Sequence, residues 1–205
     1  MTSDGFAAIA PGVRVAYVDN DPIVHVHASA LLTGSGATAI VLAALHEPGT
    51  ILAHPQITEL IDFGEPVGLL LVAVLHFVTD RENPAAIVAT LRDALPGSYL
   101  ALSHATGDFR THKAATAAAV YDYATSALTL RSHAQIARFL DGFDTLDPGL
   151  VQLPLWRPDA KPPRDASAVL GYGARRPQNR HPQRSPATVK MPASWGTPLI
   201  KWRKT

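Results

Sequence analysis

The residues with the clearest chemical potential lie where predicted strands end. Asp19 and Asn20 follow the apolar run at 13–18, which predicts a β-strand. In an open parallel sheet, ligands bind beyond the carboxyl ends of the strands. An acidic side chain at such an end can accept hydrogen bonds from both hydroxyls of a ribose, so Asp19 indicates a nucleotide cofactor. A turn or capping aspartate is the alternative that position alone leaves open.

Two histidines occupy similar positions after later strands. His76 follows the apolar run at 67–74, and His104 follows a predicted strand at 98–103. If these strands are neighbours, both imidazoles overlook one cleft, and either is suited to act as a general base near neutral pH. The alternative is a scaffolding role in which hydrogen bonds hold each ring.

The other chemically suggestive residues have structural explanations. Asp21 directly precedes Pro22, which predicts a helix N-cap. The segment Gly34-Ser35-Gly36 precedes a strand instead of following one, so it predicts a turn and not a phosphate loop. His25 and His27 are two positions apart on a predicted helix and face different directions, and the chain has no cysteine, so no metal site is expected.

The elements that must position these residues alternate between apolar strands and helices. This alternation is typical of a mostly parallel sheet covered by helices, so we predict an α/β fold. The predicted strands are 13–18, 38–43, 67–74 and 98–103, with two further β-like stretches at 149–155 and 168–172. The predicted helices are 22–32, 56–62, 84–95, 113–125 and 132–142.

Charge divides the chain in two. Residues 174–205 contain eight Lys/Arg and no Asp/Glu, whereas residues 1–173 contain ten Lys/Arg against 17 Asp/Glu. We therefore predict a folded domain at 1–173 and a disordered, basic Pro/Arg-rich tail at 174–205. The acidic domain argues against a nucleic-acid-binding core, because phosphate binding needs a basic face. For the tail, contact with nucleic acid or an acidic partner is the alternative to a solvated end.

The expected compartment is the cytoplasm. The N-terminus has no basic and apolar leader, and the longest apolar run, at 67–78, is shorter than the roughly 20 residues that span a bilayer. The absence of cysteine fits a reducing environment. No membrane contact is expected.

Several ordered segments together resemble a known family. They are VAYVDNDP at 15–22, LLLVAVLHFV at 69–78, LRDALPGSYLALSHAT at 91–106, RSHAQIARFLDG at 131–142 and PLWRPD at 154–159. Over roughly residues 6–173, the chain resembles a family of S-adenosylmethionine (SAM) dependent methyltransferases found mainly in actinobacteria. The resemblance implies a seven-stranded, Rossmann-like class I methyltransferase sheet, SAM as cofactor and a small-molecule methyl acceptor.

The resemblance also implies which residues form the site. Asp19 matches the acidic residue that holds the SAM ribose. The other expected cofactor contacts follow the strand ends and are Asn20, Leu45, Val74 and Leu75. Catalysis would consist mostly of positioning the reactants, with His76 or His104 as a base.

Two departures from the family pattern predict poor or absent SAM binding. The chain is expected to start at the second strand of the family's fold, truncated before the first strand and the glycine-rich turn that grips the cofactor. Ala44 stands where the family has an aspartate expected to recognise the adenine amino group, and alanine cannot accept that hydrogen bond. With the first strand missing, the strands at 13–18 and 67–74 are expected to pair directly, or else to expose two apolar edges.

Two other function classes compete with this one. The first is a non-catalytic remnant or an interaction module that acts through the basic tail. The second is an NAD-dependent oxidoreductase, which shares the acidic strand-end residue but requires a G-x-G-x-x-G turn that occurs nowhere in the chain. The sequence leaves the methyl acceptor and the oligomeric state open.

Overall fold

The computed structural model describes residues 12–32, 36–109, 128–144, 146–158, 171–177 and 199–202, together with residues 161, 165, 166 and 169. The strands are β1 (Val15–Asp19), β2 (Thr38–Leu42), β3 (Gly68–Val72), β4 (Tyr99–Ala105), β5 (Val151–Gln152), β6 (Gly171–Pro177) and β7 (Leu199–Trp202). The helices are α1 (Pro22–Leu32), α2 (Pro48–Leu52), α3 (Pro55–Leu60), α4 (Pro84–Ala94) and α5 (His133–Ala137). Short 3₁₀ turns lie at Leu75–Phe77, Asp80–Glu82, Arg138–Leu140 and Leu153–Leu155.

The strands of the described residues form one sheet in the order β2-β1-β7-β3-β4-β6-β5. The first five in this order run parallel to one another. β6 is antiparallel to β4, and β5 is antiparallel to β6. The predicted α/β fold with a mostly parallel sheet is therefore confirmed. The parallel strands all end on one side of the sheet, which we call the carboxyl edge.

Local capping signals explain where the helices begin. The Oδ1 of Asp21 accepts the N–H of Ile23 at 2.8 Å, and α1 starts at Pro22 as predicted. Asn83 caps α4 in the same way, because its side chain accepts the N–H of Ala86. The predicted capping box at the start of α5 is also present, formed between Ser132 and Gln135.

The hydrophobic core lies between the sheet and the helices. Ile51 of α2, Ile57 of α3 and Leu91 of α4 have 0% exposure and belong to one cluster with the buried strand residues. Full burial of each such side chain contributes about 1.5–3 kcal/mol to stability. These three helices therefore fix the sheet, whereas α1 has no buried residue.

The position between β1 and β3 is occupied by β7. The strand pairs on one side with residues 15–18 and on the other with residues 68–70. The expected direct pairing of β1 with β3 is therefore wrong, because a strand from the C-terminal segment takes the backbone hydrogen bonds of both. The segment predicted as a tail thus includes β7 and the end of β6, while its residues 178–198 and 203–205 lie outside the described residues.

Other predicted elements differ in extent. Of the predicted strand at 149–155, only the short β5 forms, because residues 153–155 adopt a 3₁₀ turn around Pro154. The 168–172 stretch is shifted, with β6 beginning at Gly171. The predicted helix at 113–125 and most of the turn at 34–36 lie outside the described residues. Within the described part of the chain, no helix has the length and apolar character needed to cross a membrane.

Candidate functional site

Asp19 is the last residue of β1 and lies at the carboxyl edge. Its register partner on β2 is Leu42, and its backbone carbonyl accepts the N–H of Ala43 at 3.0 Å. The side chain is buried, with 6% exposure, and its Oδ1 accepts the N–H of Asp21 at 2.9 Å. The carboxylate is thus held in a fixed orientation beside the neighbouring strand ends.

The chain turns sharply where β3 ends. Ala73 has φ 54°, a left-handed conformation that costs an alanine about 1–2 kcal/mol. Its N–H donates to the Oγ of Ser103 at 3.0 Å, which ties the turn to β4. As a result Val72 stays exposed at the edge, while Val74 and Leu75 turn inward to 6% and 0% exposure.

This geometry separates the predicted cofactor contacts into two groups. Asp19 and the exposed Asn20 lie at the carboxyl edge. Leu45, Val74 and Leu75 belong to the hydrophobic core, so their side chains are committed to packing. The cofactor role of these residues stays a prediction.

Two exposed apolar residues at the same edge were missed from the sequence. Leu42 ends β2 with 48% exposure, and Val72 ends β3 with 41% exposure. No local signal marked them, because the predicted strands 38–43 and 67–74 extend beyond both residues, whereas the strands end at Leu42 and Val72. Together with Asp19, they give this edge one carboxylate and two accessible apolar surfaces.

The structure brings His76 and His104 together, with ring centroids 5.5 Å apart. The Nδ1 of His104 lies 2.6 Å from the carbonyl oxygen of Ala105, so this nitrogen carries the proton and donates it. The Nε2 of His104 accepts from the Nη1 of Arg131 at 2.9 Å. In His76, Nδ1 accepts the N–H of Ala105 at 3.3 Å, which leaves the proton on Nε2. Both hydrogen-bond patterns require neutral rings.

Burial reinforces this neutrality. Desolvation, followed by the positive charge of Arg131, lowers the pKa of His76 from 6.5 to about 4. Desolvation is also the largest cause that lowers the pKa of His104 from 6.5 to about 4. Both imidazoles are therefore weak bases, and the lone pair of His104 is already engaged.

Arg131 organises this region, and sequence reasoning did not identify it. Its side chain is 2% exposed and contacts the Oδ1 of Asp80 at 2.7 Å. It also donates to the backbone carbonyls of Leu75 at 3.0 Å and Val78 at 2.8 Å. These contacts fix the segment between β3 and α4 against β4, and His76 lies within that segment.

A second polar cluster lies beyond the end of β4. The Oδ2 of Asp108 accepts the N–H of His133 at 2.7 Å and the hydroxyl of Tyr172 at 3.1 Å. Burial and this contact with Asp108 raise the pKa of Tyr172. The cluster joins the loop after β4 to α5 and β6, and Tyr172 is the register partner of His104.

A groove of about 380 Å³ lies elsewhere, between α1 and α3. Its lining includes Thr38, which begins β2, whereas Leu42 ends that strand at the carboxyl edge. His25 lines the groove and His27 does not. Among the described residues, no group of three His, Asp or Glu is placed to hold a metal ion.

Comparisons with known proteins identify close structural relatives. The S-adenosyl methyltransferase family model matches residues 6–177. A DUF574-family protein of Streptomyces avermitilis MA-4680 is 33% identical with a TM-score of 0.78, and the match covers 84% of this chain and 68% of that one. A proposed methyltransferase of Thermobifida fusca YX is 31% identical with a TM-score of 0.77, covering 84% and 65%. The chain thus spans about two thirds of the length of both.

A more distant structure shares only the fold. It is a SAM-dependent methyltransferase of Anabaena variabilis ATCC 29413, with 13% identity and a TM-score of 0.54, covering 81% of this chain and 68% of that one. No curated protein matches the chain significantly.

Proposed function

Because this chain belongs to the S-adenosyl methyltransferase family, we propose that it binds SAM at the carboxyl edge of its sheet and transfers the methyl group to a small-molecule acceptor. The observation that carries the proposal is Asp19, a buried carboxylate fixed at the end of β1. A carboxylate in this position suits the two hydroxyls of a ribose.

The residues around Asp19 fit the rest of the cofactor in part. The exposed side chains of Leu42 and Val72 offer apolar surface for the adenine ring. Ala44 is half-buried just beyond β2 and has no side-chain acceptor for the adenine amino group. A missing hydrogen bond of this kind weakens binding, and we expect a dissociation constant above about 10 μM.

The histidines are proposed to have different roles at the acceptor. SAM supplies an electrophilic methyl group on its sulfonium, so the protein has mainly to align the acceptor atom. Both ring nitrogens of His104 are engaged with Ala105 and Arg131, which suits a positioning role. His76 keeps a proton on Nε2 and is proposed to donate it in a hydrogen bond to the acceptor.

Isothermal titration with SAM tests the cofactor site. We expect Asp19→Asn to raise the dissociation constant about 10-fold or more, because charge-assisted hydrogen bonds are worth about 1.5–3 kcal/mol. Asp62→Asn is the matched control, since the Oδ1 of Asp62 also accepts a backbone N–H two residues on, that of Gly64 at 2.8 Å. This control should bind SAM like the unchanged protein. Equal effects of the two substitutions, or no binding by the unchanged protein, would refute the site.

A complementary gain of affinity is expected from Ala44→Asp. The new carboxylate restores an acceptor for the adenine amino group, which should tighten binding about 2- to 12-fold.

Methyl transfer itself is tested by incubating the purified protein with radiolabelled SAM and a pool of small molecules. A non-catalytic protein would transfer no label, so this assay separates the enzyme from the interaction module. The cytoplasm remains the proposed compartment, since the chain has no cysteine.

A further inference from the structure

The central strand β7 lies outside the part of the chain that matches the family. The family match ends at residue 177, whereas β7 comprises Leu199–Trp202. Nevertheless β7 pairs in parallel with β1 through Ala16↔Ile200 and with β3 through Leu69↔Ile200. A segment without a counterpart in the family match thus holds the middle of the sheet.

The flanking strands need a partner in this position. Ala16 is 0% exposed and Leu69 is 2% exposed, so the strands on either side of β7 are buried. Backbone N–H and C=O groups buried without partners are strongly unfavourable, and two apolar edges without a strand between them would be sticky. A strand at this position is therefore a requirement of the sheet.

The connection that leads to β7 is compatible with a single chain. β6 ends at Pro177, whose register partner on β4 is Tyr99. Across the sheet, Tyr99 pairs with Gly68 of β3, and Gly68 pairs with Leu199, the first residue of β7. The end of β6 and the start of β7 therefore lie on the same side of the sheet, three strand spacings or about 15 Å apart. The intervening residues 178–198 can span far more than this distance, at about 3.3 Å per residue.

We propose that residues 199–202 serve in cis as the central strand of the methyltransferase sheet and form the middle of its cofactor-binding edge. Trp202 is the register partner of Val18, the residue before Asp19, so β7 ends beside the proposed ribose contact. The role of β7 at the cofactor-binding edge rests on the proposed SAM site. The position of β7 between β1 and β3 depends only on the strand pairing.

Disulfide trapping in the full-length chain tests the strand pairing. The chain has no cysteine, so Ala16→Cys with Ile200→Cys introduces a unique pair. Register partners on neighbouring strands lie within the Cα separation of about 4.4–6.8 Å that a disulfide spans. We expect mild oxidation to give an intramolecular disulfide, seen as a faster-migrating monomer on a non-reducing gel. The matched control is Ala16→Cys with Leu199→Cys, which should react poorly because adjacent strand positions face opposite sides.

Several outcomes would overturn the strand proposal. Equal trapping of both pairs, or of neither, contradicts the register. A disulfide-linked dimer shows that the strand comes from a second copy and contradicts the cis arrangement. Hydrogen exchange on the unsubstituted protein tests the strand even if the cysteine variants do not fold. The backbone amides of residues 199–202 should exchange as slowly as those of β1. Exchange at the rate of an unstructured peptide would refute the proposal.

SAM titration of the trapped protein separates this inference from the proposed function. If β7 forms part of the cofactor edge, the oxidised protein should bind SAM within about twofold of the reduced protein. Loss of binding on oxidation would mean that β7 has to leave for SAM to enter, which overturns its role at the edge. If the disulfide forms and neither state binds SAM, the strand assignment stands and the proposed cofactor site fails.

Discussion

Replacement of Arg131 by methionine should destabilise the protein severely. The guanidinium donates to the buried carbonyls of Leu75 and Val78 and to the Nε2 of His104, and it also contacts Asp80. Methionine keeps much of the side-chain volume but donates no hydrogen bond. The substitution therefore tests the polar network and leaves the packing largely intact.

The magnitude follows from the burial of each partner. The carbonyls of Leu75 and Val78 and the ring of His104 would lose a donor inside the protein, and each such loss costs about 1–3 kcal/mol. The side chain of Asp80 is 72% exposed and regains water, so it adds little. Three such losses give a total of at least about 3 kcal/mol. That is a large part of the stability of a typical domain.

Urea unfolding monitored by circular dichroism measures this loss. Arg138→Met is the matched control, because Arg138 is an exposed arginine in the same segment and should change stability by no more than about 0.5 kcal/mol. A cost below about 1 kcal/mol for Arg131→Met, or equal costs for the two variants, would show that the Arg131 network does not hold the fold.

Two further predictions concern pH and the turn after β3. His76 and His104 stay neutral in the folded protein down to a pKa of about 4, whereas in the unfolded chain they bind protons below their usual 6.5. Between pH 4 and 6.5 the unfolded state therefore binds more protons than the folded state. The free energy of unfolding, measured by urea titration, should fall as pH drops from 6.5 towards 4, by up to about 3 kcal/mol per ring. A free energy of unfolding that does not change over this range would contradict the assignment of neutral rings. Ser103→Ala removes the nearer of two acceptors of the Ala73 N–H, because the backbone carbonyl of Ser103 also accepts it at 3.3 Å. It should cost about 1 kcal/mol or less while weakening SAM binding several-fold. Ser98→Ala, which removes a similar backbone contact at the opposite edge, should cost the same stability without changing SAM affinity; equal SAM affinities in both variants would show that the Ala73 turn is not part of the site.

Local sequence signals predicted the elements that begin with a capping residue and proline. α1 begins at Pro22 as expected, and α4 begins at Pro84, because an N-cap side chain and a fixed proline φ act within a few residues. The strong apolar run at 67–74 also predicted β3, although the strand stops at Val72. The left-handed turn at Ala73 ends it early, and no glycine or asparagine marks that turn in the sequence.

Residue types alone could not decide the roles of the two histidines. The expectation that His76 and His104 lie close together is correct, since their ring centroids are 5.5 Å apart. However, His104 lies within β4 instead of after it, and both residues are buried instead of overlooking an open cleft. Their protonation depends on Arg131 and on the backbone of Ala105, and Arg131 is 27 residues away from His104 in the chain. Burial and hydrogen bonding of this kind arise only when distant segments pack, so the sequence left base and scaffold as open alternatives.

The sequence by itself determined the fold class, the family and the position of Asp19, because these depend on apolar periodicity, local caps and ordered motifs. Only the tertiary structure decided which strand fills the centre of the sheet and which apolar residues stay exposed at its carboxyl edge. The basic composition at 174–205 predicted a tail, yet backbone pairing with β1 and β3 places residues 199–202 between them. A four-residue strand carries little signal of its own, and its conformation is stabilised by two long-range partners that no local pattern contains.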